Sequence, residues 1–213
     1  MKTWYKRLLQ CGIVSSLWYT AVNFIVPPFW PAYNPASQTV SELSAVGAPT
    51  RQLWTWLCSP YTLLMIAFAW GVYKVAGNNR ALRITGRLLL AYAMLGLIWP
   101  FAPMHQRAIL SAGGGTLTDT LHLALGAVTE LLFLLALSFA ATVFNTTFRV
   151  YSLISLALLL IFGLLTFLAA PGVSANRPTP FIGVWERVNI GIFLLWVILL
   201  SATLLRQKSP ENT

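Results

Sequence analysis

The chain has 213 residues, 57% of them hydrophobic and 9% charged, with a formal net charge of +9 and a mean hydropathy of +0.71. Soluble domains are roughly 45–50% apolar and about 25% charged, so this composition excludes a soluble globular enzyme, a disordered chain and a nucleic-acid-binding module. It requires lipid as the solvent, and six spans of about 20 residues consume about 120 residues, leaving connections but no separate soluble domain.

The first apolar run covers about 8–29 and follows Lys2, Lys6 and Arg7. That basic start resembles a signal peptide, but Val26-Pro27-Pro28-Phe29-Trp30 offers no small-residue cleavage site, so the run is expected to stay as an anchor. The second run, about 50–75, contains Pro60, which predicts a kink or a helix restarting at Ser59-Pro60. The third run, about 84–99, ends in Pro100-Phe101-Ala102-Pro103. The fourth, fifth and sixth runs cover about 119–144, 151–170 and 185–205, and Ala170-Pro171-Gly172 reads as a stop. The expected fold is all-α, a single domain over 1–213 forming a polytopic six-helix membrane bundle, with a short surface helix after the first span.

Basic residues set the expected orientation. Lys2, Lys6, Arg7, Lys74, Arg80, Arg83, Arg87, Arg149, Arg206 and Lys208 fall on one side, against Arg51, Arg107, Arg177 and Arg187 on the other. Ten against four places both termini in the cytoplasm of a multi-pass cell-membrane protein. Glu42, Asp119 and Glu186 take the other side, and only Glu211 is cytoplasmic. The three outward connections are long, so an external site is expected where they meet the helix ends. Gly113-Gly114-Gly115 in the second of them is a hinge without the lysine of a phosphate loop. Cys11 and Cys58 fall near opposite faces, which argues against a disulfide.

Eight polar groups need a reason to be where they are. Glu130 lies about 16 Å along its helix from Asp119, near the bilayer midplane, where an ionised carboxylate is costly unless it is paired, hydrated or protonated. Asp119, His122, Gly126 and Glu130 share one stripe about 80° wide. The stripe reads either as a polar track or as one structural acid that is neutral and bonded across the bundle. His105 and His122 stand at the outer ends of consecutive spans. With Asp119 and Glu42 they have the residue types for zinc, and two histidines have those for haem. The spacing of a metal motif is missing, however, and the expectation is no metal and no cofactor. Thr39 or Ser41 can cap a short helix carrying Glu42, ended by Gly47 and Pro49. Glu42, Arg51, Glu186 and Arg187 then gather at the outer ends, with Glu42–Arg187 as the expected pair. The cluster reads as a clamp on the loops or as a ligand-contacting group.

Three segments carry a family resemblance. They are Gln38-Thr39-Val40-Ser41-Glu42-Leu43 with Gly47-Ala48-Pro49-Thr50-Arg51, then Trp99-Pro100-Phe101-Ala102-Pro103-Met104, then Gly183-Val184-Trp185-Glu186-Arg187-Val188-Asn189. In order and spacing they resemble the prokaryotic six-helix membrane family catalogued as domain of unknown function 998, over about residues 8–205. The Ser-Glu-Leu segment is also remotely similar to the eukaryotic DRAM/Frag/Sfk membrane proteins. The nearer resemblance implies roles for Ser41, Glu42, Pro49, Pro100, Glu186 and Arg187, and the remote one implies lipid-related work.

The leading functional expectation is binding of a lipid or amphiphile at the outer polar cluster of Ser41, Glu42, Arg51, His105, Asp119, His122, Glu186 and Arg187, with transport or stabilisation of a partner. The expected partners are membrane lipids, not nucleic acid. One alternative is a hydrolase or transferase acting on a lipid headgroup, with Glu42 or Asp119 and His122 as general base and Arg51 or Arg187 holding phosphate. The other is a proton-coupled carrier using Glu130.

Overall fold

Backbone amides in hydrocarbon have no water to bond, so a long apolar run must satisfy them internally as a helix. The computed structural model describes residues 2–207, and Lys208 and Glu211 of the charge count lie outside them. The helices are α1 (Thr3–Ile25), α2 (Arg51–Val75), α3 (Arg80–Leu95), α4 (Arg107–Ser111), α5 (Leu117–Ala140), α6 (Thr146–Ser174) and α7 (Ile182–Arg206). All but the short α4 are long and apolar enough to cross a membrane, and the chain is a multi-pass membrane protein. The expected surface helix is a 3-10 segment, Val40–Ser44.

Local chemistry explains most boundaries. Asn79 accepts from Leu82 N at 3.0 Å and Asn145 from Phe148 N at 3.0 Å, capping α3 and α6. Of the two prolines inside helices, Pro171 acts differently from expectation. The helix of α2 runs through Pro60 without restarting. α6 runs past Pro171 to Ser174, because a proline near a helix C-terminus removes a single amide and leaves its own carbonyl free. That carbonyl accepts from Ala175 N at 3.1 Å. The stop comes at Asn176, whose φ of 50° is left-handed, with Arg177 N closing onto Gly172 O at 2.8 Å.

The six spans close into a ring: α1 packs on α2, α2 on α3, α3 on α5, α5 on α6, α6 on α7, and α7 back on α1. Aromatic rings fill its centre. Phe133 and Phe193 stack with centroids 3.6 Å apart, and Tyr92 meets both edge-on. Phe68, Met65, Leu137, Trp196 and Leu200 are fully buried around them. The α2–α3 approach depends on Gly86, where a Cβ would lie 2.7 Å from Tyr73 N. Ser201 Oγ donates to Leu9 O at 2.5 Å, tying α7 to α1.

The connections are unequal. Residues 26–50, 96–116 and 175–181 all lie at one end of the ring, the loop end, whereas 76–79 and 141–145 are short turns at the other.

Candidate functional site

At the loop end the chain first builds a small charged turn. Thr39 N donates to Glu42 Oε2 at 2.7 Å and Glu42 N to Thr39 Oγ1 at 3.3 Å, a reciprocal capping box. Thr39 is thus the cap, and Ser41 is not. The box leaves Glu42 2% exposed, and a carboxylate so buried requires a cation.

That cation is Arg107, not the expected Arg187. Arg107 Nε donates to Glu42 Oε1 at 2.7 Å and Nη2 to Oε2 at 2.9 Å, a two-pronged pair. Its other donors reach Ser37 O at 2.8 Å and Thr179 Oγ1 at 2.8 Å, and Thr179 Oγ1 donates to Ser37 O at 2.9 Å. One guanidinium therefore joins all three long connections. It is carried into place by the second connection, where Val46 N donates to Met104 O at 2.8 Å and His105 N to Asp119 Oδ1 at 2.7 Å.

Glu186 and Arg187, adjacent at the start of α7, diverge. The Glu186 carboxylate accepts from Val40 N and, at 3.3 Å, from Ser41 Oγ, holding the first turn of the 3-10 segment. Arg187 turns to carbonyls: Nη1 donates to Pro35 O at 2.7 Å, Gly183 O at 3.1 Å and Gln38 O at 3.2 Å. Nη2 donates to Tyr33 Oη at 2.5 Å, and the guanidinium lies 5.6 Å from the Tyr33 ring centroid. Pro35 and Gln38 draw it away from Glu42 because their carbonyls sit directly over Gly183, where a Cβ would collide with both. Tyr33 in turn donates to Thr39 O at 2.7 Å. Burial pushes its phenol pKa up, against the opposing pull of Arg187, so it stays a neutral donor.

The two histidines do not share a site. His105 Nδ1 bonds Asp119 Oδ2 at 2.9 Å; a carboxylate only accepts, so Nδ1 carries the proton. Asp119 also accepts from Thr116 N at 2.8 Å, capping α5. His122 is buried, its Nδ1 donating to Ala102 O at 2.8 Å with its ring edge-on to Trp99. The Asp119–His122 combination sketched for a general base is therefore replaced by Asp119–His105. Among the described residues, no group of three or more His, Cys, Asp or Glu side chains is placed to hold a metal ion.

Glu130 lies deeper and half-buried. Its Oε1 accepts from Asn189 Nδ2 at 3.3 Å, and the same Nδ2 donates to Leu159 O at 3.0 Å. Gly163 of α6 makes the notch: a Cβ there would stand 3.0 Å from Oε1. Glu130 thus sits among α5, α6 and α7, and its partner is Asn189. The stripe from Asp119 to Glu130 is not one hydrogen-bonded track, since its three polar members bond to His105, Ala102 and Asn189 respectively.

Two grooves flank this cap. One, of about 410 Å³, is lined by Arg51, Gln52, Thr55, Trp56 and Pro100; Arg51 makes no side-chain hydrogen bond among the described residues. The other, of about 460 Å³, runs from the loop end of α1 to the start of α7 and is walled by Phe24, Pro27, Trp30 and Tyr33, with Asn23 and Arg187 as its polar members. Phe24 is 76% exposed at its edge. Tyr33 and Arg107 escaped the reading of the residues. Arg107 figured there only as a charge in a count, although an arginine in a connection facing a capped acid is a usable signal.

No curated protein and no solved structure matches the chain. Residues 13–203 match the family model described as protein of unknown function (DUF998), and with nearly the whole of its helical ring covered the chain belongs to that family.

Proposed function

We propose that the protein binds a lipid or amphiphile of the outer leaflet in the groove between α1 and α7, with the loop end outside the cell and both termini in the cytoplasm. The observation that carries this reading is the make-up of that groove. Its walls are aromatic rings and prolines at the level where a span ends, and its head is a guanidinium. An acyl chain suits the first and a polar headgroup the second. Tryptophan and tyrosine rings favour the headgroup layer, and Trp30 and Tyr33 occupy that level here. Glu42, by contrast, spends both carboxylate oxygens on Arg107 and Thr39. That commitment makes it a clamp on the loops rather than the general base of a headgroup hydrolase.

A phospholipid carrying a photoactivatable group in its acyl chain tests the proposal in reconstituted vesicles. The expected result is saturable cross-linking enriched in peptides spanning 23–35, competed by unlabelled lipid. Cross-links spread evenly over lipid-facing α6, with no enrichment at 23–35, would reject it.

A further inference from the structure

The four arginines of the loop end meet different fates. Arg107 is paired with Glu42, Arg187 is taken up by carbonyls and a phenol, and Arg177 is exposed. Arg51 is half-buried, yet its guanidinium makes neither a hydrogen bond nor an ion pair among the described residues. The acids of its own end are committed elsewhere. Glu42 is bonded by Arg107 and Thr39, Asp119 by His105 and Thr116, and Glu186 by Val40 and Ser41. A guanidinium withdrawn partly from water without an acceptor is costly, and it cannot shed its charge by deprotonation.

The groove of about 410 Å³ that Arg51 lines holds further donors in the same state. The Gln52 amide and the Trp56 indole N–H donate to nothing among the described residues, whereas Thr55 Oγ1 spends its proton on Arg51 O at 2.9 Å. Pro49 and Pro100 close the groove with rings that carry neither charge nor N–H. Its walls thus combine a fixed positive charge, unspent N–H donors and no acid. Trp56 is 71% exposed and stands in the second turn of α2, at the level where the span begins and indole rings favour the headgroup layer. From this convergence we infer that the Arg51 groove is a second binding site, one for a phosphate group. Arg51 receives the anion on its planar fork of N–H donors, Gln52 or the Trp56 N–H takes a further oxygen, and the indole ring packs on whatever apolar stem the phosphate carries. A phospholipid phosphate and free phosphate share that chemistry. The site is separate from the α1–α7 groove and does not rest on the amphiphile reading of it.

Fluorine NMR on the full chain, labelled with fluorotryptophan and held in phosphate-free maltoside detergent, tests this at the groove itself. Among the nine tryptophans the Trp56 line is identified by its loss in Trp56→Phe. The probes are phosphatidic acid, diacylglycerol with the same acyl chains, and inorganic phosphate. The expected result is a saturable shift of the Trp56 line with a phosphate-bearing probe and none with diacylglycerol. In Arg51→Gln half-saturation should need about ten times more of that probe, the worth of one charge-assisted hydrogen bond. Saturation by phosphatidic acid alone names a lipid as the occupant, and saturation by inorganic phosphate as well names the free anion; both sustain the site. An equal shift with diacylglycerol, no saturable shift with either phosphate probe, or unchanged affinity in Arg51→Gln overturns it. If Arg51→Gln fails to fold, the three probes on the wild-type protein still decide. Cross-linking at 23–35 reads the other groove, so the two readings fail separately.

Discussion

Arg107 and Glu42 meet through two parallel N–H···O bonds of 2.7 and 2.9 Å, sixty-five residues apart in the chain. Their side chains are 15% and 3% exposed. At that burial the carboxylate cannot fall back on water, so removing one partner should cost about 3–5 kcal/mol. The double-mutant cycle of Glu42→Gln with Arg107→Gln, read by thermal unfolding in detergent, should give a coupling energy of about 2 kcal/mol or more. The same cycle on Glu42 and Arg187, which share no hydrogen bond, should give less than about 0.5 kcal/mol. Equal couplings would mean that the loop end is held by a diffuse charge field and not by this pair. Arg107→Lys should not rescue, because an ammonium cannot reproduce the two-pronged geometry or reach Ser37 and Thr179 as well.

The turn that carries Glu42 was legible in the residues, whereas its partner was not. A capping box spans only four residues, and Thr39 with Glu42 announces it directly. Which arginine reaches Glu42 depends on how a connection of about twenty residues folds over another. That was settled by contacts with no pattern in the sequence: the bridge of Val46 to Met104, and Asp119 receiving His105. The six spans were legible for the same reason as the turn, since hydrophobic length is a local property. Pro171 misled because proline is a breaker only where its missing amide matters. The true stop is Asn176 in a left-handed conformation, which residue type alone does not impose.

Gly183 should tolerate no side chain. The carbonyls of Pro35 and Gln38 occupy the place of its Cβ, and both belong to the set that holds Arg187. Gly183→Ala must push that loop off α7, at a cost of about 1–3 kcal/mol for an overpacked site. Lipid cross-linking at 23–35 should fall with it, because Tyr33 and Arg187 move together. A variant of unchanged melting temperature and unchanged cross-linking would show that the loop yields freely.

Glu130 offers a cleaner separation of structure from chemistry. Its Oε1 meets Asn189 Nδ2 in the notch of Gly163. Glu130→Gln keeps an acceptor for that amide and should change the melting temperature little. Glu130→Ala loses the bond and opens a cavity, and should cost about 1–3 kcal/mol. Gly163→Ala should act like a milder form of the second, since its methyl crowds the same oxygen. If Glu130→Gln proved as destabilising as Glu130→Ala, the carboxyl itself would be needed for folding. Proton-coupled uptake lost in Glu130→Gln vesicles of normal stability would instead favour the carrier reading.

The proposed orientation rests on where the basic residues lie. Within the described residues the short-turn end carries Lys2, Lys6, Arg7, Lys74, Arg80, Arg83, Arg87, Arg149 and Arg206, while the loop end carries Arg51, Arg107, Arg177 and Arg187. By the positive-inside rule this nine-to-four bias of basic residues predicts a cytoplasmic short-turn end. Glu42 is too buried to report on this, but Gly114 and Asn78 are exposed at opposite ends. With Cys11 and Cys58 replaced, since both are free thiols, a cysteine at 114 should react with an impermeant maleimide on intact cells. A cysteine at 78 should react only after permeabilisation. The reverse pattern would turn the bundle over and place the Arg187 groove in the inner leaflet, where anionic lipids concentrate. Lipid binding in the groove would still be testable there, but the outer-leaflet assignment would fall.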